Sequence, residues 1–315
     1  MDIRSELLAG NKRAAARLIT LLENGDDEAI EILKSLYKES GKARVIGITG
    51  PPGAGKSTVT DRLTKDLRKK GYTVGIVAVD PTSPFTGGAI LGDRVRMTDL
   101  ATDPGVFIRS MGTRGALGGL SRAAHGAVNV LDIFGCDYIF IETVGVGQSE
   151  VDIVKVADTI LMVMVPGLGD DIQAIKAGIM EIGDVFAVNK SDREGAERTA
   201  VELEAMLDFN RESEYRPPVV NIVARDHKNM DVLMEKLDEH RDYMLKRGIL
   251  VERKRHNTRT EIHELFKQRI MESIGAMGEN SELADILVEK VLVKASDPYT
   301  AVDELIAAFR SGQQK

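Results

Sequence analysis

Residues Gly50–Ser57 read Gly-Pro-Pro-Gly-Ala-Gly-Lys-Ser, a complete G-x-x-x-x-G-K-[ST] run. The run constrains the fold because such a loop works only between a buried strand and the head of a helix. Both flanks are present. Arg44-Val45-Ile46-Gly47-Ile48-Thr49 has the length and apolarity of a buried strand, and Val59, Leu63 and Leu67 recur at helical spacing over 58–70. Glycines let backbone N–H groups turn inward around phosphate oxygens, and the helix that follows adds its positive end. Gly53, Ala54, Gly55, Lys56, Ser57 and Thr58 are therefore the candidate phosphate-contacting residues. Lys56 is placed to reach the outer phosphates and the Ser57 hydroxyl to ligate Mg²⁺.

Strand and helix patterns alternate from Arg44 onward. Strands are predicted over 45–49, 74–79, 106–110, 138–141, 160–165, 185–188 and 219–223, with helices over 120–133, 172–182, 196–210 and 230–246. Several strands are apolar almost continuously, as strands covered on both faces must be. The pattern predicts an α/β fold with a doubly wound, mostly parallel sheet over 44–250. Residues 1–43 read as a helical extension in two stripes separated by Asn24-Gly25-Asp26-Asp27. Residues 251–315 read as about three helices whose apolar stripes need cover, from this domain or from another chain.

A second motif concerns the base. Asn189-Lys190-Ser191-Asp192 follows the apolar run Val185–Val188, giving Asn-Lys-x-Asp at a strand end. The Asp192 carboxylate accepts two hydrogen bonds from a guanine edge. Adenine offers no such pair of donors and would leave a buried carboxylate unsatisfied. Lys190 can lie over the base, and Asn189 can bridge the base loop to the phosphate loop. Asp80, Asp93 and Glu142 are the carboxylates placed near strand ends where a Mg²⁺ shell is held, each with a helix-cap or turn role as the bland alternative. Gly145 and Gly147 can bring N–H groups to a γ-phosphate, and Gln148 is a minor candidate for orienting water. The five histidines, at 125, 227, 240, 256 and 263, read as scattered surface residues.

Bulk properties narrow the function further. The chain has 315 residues, a net charge of −7 and a pI near 5.4, which disfavours nucleic acid and anionic membrane as partners. The longest apolar stretch is far short of a membrane span, and the N-terminus is no secretory signal. A single cysteine, Cys136, suits a reducing cytoplasm.

In order along the chain stand Gly50–Ser57, Val79-Asp80-Pro81-Thr82-Ser83, Gly87–Asp93, Glu142-Thr143-Val144-Gly145-Val146-Gly147-Gln148, Pro166–Gln173 and Asn189–Asp192. Together they resemble the MeaB/ArgK group of GTPases, chaperones of adenosylcobalamin-dependent methylmalonyl-CoA mutase. The resemblance implies GTP and GDP as ligands with Mg²⁺, slow hydrolysis that the mutase accelerates, and control of cofactor loading. It implies a homodimer joined through the C-terminal helices, and a third switch loop over Pro166–Lys176 with Lys176 as a contact to an acyl-CoA mutase. The chain departs from the group at the last base-contacting loop, where Val223-Ala224-Arg225 stands in place of Ser-Ala and only Ala224 matches. The Ala224 N–H is the expected partner of the guanine carbonyl. Competing readings are a metallocentre-assembly GTPase, a protein-targeting GTPase of the signal-recognition type and an ATP-dependent kinase of amino-acid transport.

Overall fold

The computed structural model describes residues 2–80, 98–112, 119–143, 152–167, 181–209, 215–278 and 282–312. It forms two units, Met1–Thr258 and Arg259–Lys315. In the first, strands β1 (Arg44–Thr49), β2 (Val74–Asp80), β3 (Val106–Gly112), β4 (Tyr138–Thr143), β5 (Thr159–Met164), β6 (Val185–Val188) and β7 (Val219–Asn221) form one sheet in the order β3-β2-β4-β1-β5-β6-β7. Every pairing is parallel, as the alternation of strands and helices predicts.

Successive strand residues face opposite sides of the sheet, and here both sides are covered. Val45, Ile139, Ile141 and Ile160 point to one core, under helices α1 (Ile3–Leu8), α2 (Lys12–Glu23), α3 (Asp27–Leu36) and α6 (Gly119–Phe134). Ile46, Ile48, Phe140, Leu161 and Val163 point to the other. There they meet Val59, Leu63 and Leu67 of α4 (Lys56–Lys69), Leu100 of α5 (Thr98–Ala101) and Met230, Leu233 and Leu237 of α8 (Met230–Lys246), whereas α7 (Ala196–Phe209) packs on Met162, Met164 and Phe186.

The N-terminal extension has three helices rather than two stripes. Gly10 takes a left-handed φ of +75°, and the Asn11 side chain caps α2 by accepting from the N–H groups of Arg13 and Ala14. The chain is thus broken in the middle of the first stripe. Asp132 of α6 ties this layer to the sheet, its carboxylate accepting from the N–H groups of Gly41, Lys42 and Ala43 just before β1.

The second unit contains most of α9 (Ile249–Gly278), with α10 (Glu282–Leu292) and α11 (Pro298–Gly312). Helix α9 begins two residues before the boundary expected at 251. Leu287 and Ala301 are buried and Lys290 pairs with Glu304, while Ile262, Phe266, Met271 and Val302 are exposed. No helix among the described residues is long and apolar enough to cross a membrane.

One expectation fails at His240, which is 2% exposed rather than a surface residue. It lies on the buried stripe of α8, its Nδ1 3.1 Å from the Thr159 hydroxyl and its Nε2 3.4 Å from Asp184. Arg253 grips the same Asp184 carboxylate with two nitrogens, at 2.6 and 2.9 Å, and the Ile160 N–H donates to it at 2.8 Å. Burial alone would raise the Asp184 pKa, but the hydrogen bonds from Arg253 and His240 outweigh it and hold the carboxyl at about 2. Because the folded value is depressed, this stability is present above the unfolded value and is lost as pH falls toward about 2. Against an unfolded value of about 3.9, the carboxylate contributes on the order of 2–3 kcal/mol at neutral pH. Urea denaturation across pH 5 to 2.5 should show that loss in the wild type and a flatter profile in Asp184→Asn. Parallel profiles would contradict the assignment.

Candidate functional site

The sheet order creates the site. The chain leaves β1 toward β2 on one side, and β5 flanks β1 on the other, so a crevice opens beyond the C-terminal ends of the central strands. The Gly50–Ser57 loop occupies that crevice and leads into α4. Gly50 has φ +140°, and a Cβ there would lie 2.1 Å from the Val163 carbonyl oxygen of β5. Gly55 has φ +90°, and its Cβ would lie 2.4 Å from Asn189 Nδ2. Both positions need glycine on conformation and on space. Lys56 is buried, and its ammonium donates to the Gly50 and Pro51 carbonyls at 2.8 and 3.1 Å. The loop thus carries a cation against its own backbone, beside the N–H groups that open α4.

Glu142 is the one carboxylate candidate for the metal shell whose side chain is described. It is paired with Ile48 of β1 and shares a face of β4 with Phe140, so its carboxylate points toward α4. Ser57 donates to Oε1 at 2.5 Å, and the Thr60 hydroxyl shares its proton between Oε2 at 3.1 Å and the Lys56 carbonyl at 3.0 Å. Ser57 and Thr60 are three residues apart on one helical face. At the end of the same strand pair, the Thr143 hydroxyl donates to Thr49 Oγ1 at 2.9 Å, both residues buried. A carboxylate beside a serine hydroxyl is a hard-oxygen pair that suits Mg²⁺, which is held by one or two carboxylates with phosphate and water completing the shell.

The base loop is fastened to the phosphate loop. The Asn189 side chain donates to the Ala54 carbonyl at 2.8 Å and accepts from the Ala224 N–H at 3.1 Å. Lys190 donates to the Gly53 carbonyl at 2.8 Å from a left-handed backbone, φ +59°. That conformation costs a lysine on the order of 1 kcal/mol. Bonds on either side hold it, Asn189 N–H to Met164 O at 2.8 Å and Ser191 N–H to Ile222 O at 3.0 Å. Asp192 is exposed, with the Arg225 guanidinium 3.7 Å from its carboxylate.

The structure therefore brings together Gly53, Ala54, Gly55, Lys56, Ser57, Glu142, Asn189, Lys190 and Ala224, with Asp192 at the edge; Thr58 sits exposed in the first turn of α4. It also changes two details. The Ala224 N–H donates to Asn189 rather than standing free, so the peptide serves first to lock the loop. Asp80 ends β2, which adjoins β4 and not β1, so its strand is not beside the phosphate loop. The Asp80 side chain, Asp93, Gly145, Gly147, Gln148 and Lys176 lie outside the described residues. Thr60 and Arg62 were not anticipated. Their only signal in the sequence is position, one and nearly two helical turns after Lys56.

Residues 15–279 match the profile described as methylmalonyl-CoA mutase-associated GTPase MeaB. The chain belongs to the MeaB family of GTPases. A Pyrococcus abyssi protein named as a GTPase is 52% identical over 99% of this chain and 97% of its own length. A mouse protein named methylmalonic aciduria type A homolog, mitochondrial, is 33% identical over 97% of this chain and 78% of its own. Among solved structures, one titled LAO/AO transport system kinase shares the fold, with a TM-score of 0.73 at 22% identity, covering 98% of this chain and 96% of that one. As a MeaB-family member the chain is a GTP hydrolase that binds guanine nucleotide.

In this family member the Thr60 hydroxyl meets Glu142 on the buried side of the site. Thr60→Val keeps the shape and removes the hydroxyl that meets this carboxylate and the Lys56 carbonyl. Chemical denaturation should show a loss of roughly 1–3 kcal/mol, with Thr60→Ser near wild type. A Thr60→Val protein as stable as wild type would remove Thr60 from this role.

Proposed function

We propose that this GTPase is a nucleotide-gated chaperone of an adenosylcobalamin-dependent acyl-CoA mutase, working with Mg²⁺ as a cytoplasmic homodimer. The observation that carries the reading is the family match over 15–279, whose description is itself a mutase-associated GTPase. The mouse relative, named for methylmalonic aciduria, supports the same metabolic setting. The exposed apolar residues of α9 and α11, such as Ile262, Phe266 and Val302, support residues 251–315 as the dimerisation arm. A single cysteine, the buried Cys136, suits a reducing compartment.

In this reading the N–H groups at the head of α4 and the Lys56 ammonium take the phosphate chain. Ser57 and Glu142 hold Mg²⁺, with Asp80 and Asp93 as further carboxylates of its shell. The ion, when bound, would neutralise charge that develops on the phosphate oxygens. Asp192 reads the guanine edge and Lys190 covers the base, while Asn189 fixes the distance between base and phosphates. Gly145 senses the γ-phosphate, and the loop over 166–176 passes that state to the mutase. A partner that prefers one nucleotide state must by linkage change nucleotide affinity. The metallocentre-assembly alternative would need a ligand cluster, and among the described residues no group of three or more His, Cys, Asp or Glu is placed to hold a metal.

The test adds an adenosylcobalamin-dependent mutase from the same organism and measures GTP hydrolysis. Turnover should rise with the mutase, and Lys176→Ala should reduce the rise while leaving the basal rate unchanged. No binding and no change in rate would refute the chaperone reading and leave the GTPase assignment standing.

A further inference from the structure

The base loop has a second anchor, on the helix that follows the phosphate loop. Arg62 of α4 donates through Nε to the Ala224 carbonyl at 3.1 Å and through Nη2 to the Arg225 carbonyl at 3.0 Å. A guanidinium presents those two donors in a fixed plane, so two successive carbonyls are gripped as one rigid element. One turn further along α4, Asp66 lies 3.2 Å from Nε2 of His227, at the far end of the same loop. Ala224 is therefore held through both of its peptide groups, its N–H by Asn189 and its carbonyl by Arg62. Arg225, the next residue, carries the guanidinium that stands 3.7 Å from Asp192.

We infer that Arg62 is a positioning residue for guanine recognition, setting the 224–226 loop opposite Asp192 from the helix whose head holds the phosphates. This rests on the reading of Asp192 as the guanine-selecting group. The physical reason is rigidity. Residues 224–226 form a short, partly exposed turn that begins beyond the last ladder bond of β7. Without Arg62, the Arg225 carbonyl loses that donor and the Ala224 carbonyl keeps the His227 N–H at 3.3 Å, so the turn rests on its own backbone bonds, on Asn189 and on the His227 end. Contacts to the base then lose pre-organisation, while Lys56, Ser57 and Glu142 keep every bond described above. The expected loss thus falls on the base and spares the phosphates.

Calorimetry with GDP, IDP and pyrophosphate as probes separates these effects, because IDP lacks the exocyclic amine and pyrophosphate lacks the base. Arg62→Ala should weaken GDP by roughly tenfold, the scale of one or two hydrogen bonds, and narrow the GDP-to-IDP ratio. Pyrophosphate affinity should be unchanged, and Arg62→Lys, which keeps one donor, should fall between. Wild-type GDP affinity and wild-type GDP-to-IDP ratio in Arg62→Ala would overturn the inference while leaving the guanine site intact. Equal weakening of GDP and pyrophosphate would also overturn it, by showing that α4 itself had moved. If wild type bound GDP and ADP alike, the reading of Asp192 would fall first. A thermal melt of each variant identifies misfolding, and Arg62→Lys carries the test if Arg62→Ala does not fold.

Discussion

The site depends on the Asn189 carboxamide. One side chain donates to the phosphate loop at Ala54 and accepts from the base loop at Ala224. A buried amide left unpaired costs about 1–3 kcal/mol, so each loop holds the other in place. Gly55 has no side chain because Asn189 fills the space a Cβ would take. The strained Lys190 backbone is tolerated because its neighbours are fixed to β5 and to Ile222. On the proposed reading, the distance between the two ends of a bound nucleotide is thus set in the protein, and binding need not pay to order it.

Helix α4 gives this staple its reach. Its head carries Lys56 and Ser57, its sheet face carries Thr60 against Glu142, and its far side carries Arg62 and Asp66 against residues 224–227. A helix buried along Val59, Leu63 and Leu67 resists tilting, so a shift at one end is felt at the other. The same logic recurs at the opposite end of the sheet. There Asp184 gathers Ile160, His240 and Arg253 at the N-terminal ends of β5 and β6, remote from the chemistry.

Much of this was legible because the signals are local. The phosphate loop and Asn-Lys-x-Asp each lie within a few residues, and the strand before each is continuously apolar. The parallel sheet follows from alternation alone. Strand order does not, and the roles of the carboxylates turn on it. Glu142 faces Ser57 because β4 lies next to β1, whereas Asp80 ends a strand one place further out. His240 was misread although its spacing was informative, since Leu233, Leu237, His240 and Met244 form one buried stripe. Its partners Asp184 and Thr159 come from distant strands, and no window of sequence joins them. The break at Gly10-Asn11 carried a usable signal, a glycine followed by a capping residue, inside a stripe that was read as continuous.

The central claim is that guanine is selected at Asp192 within this pre-set frame. The direct measurement is calorimetric titration of GDP, ADP and XDP into wild type and Asp192→Asn. Wild type should prefer GDP to ADP by at least roughly a hundredfold, since ADP would leave the carboxylate without its donors. Asp192→Asn should lose GDP and gain XDP, whose ring carbonyl supplies the acceptor the amide requires. Equal GDP and ADP affinities in wild type, or an Asp192→Asn variant that still prefers GDP, would contradict the account.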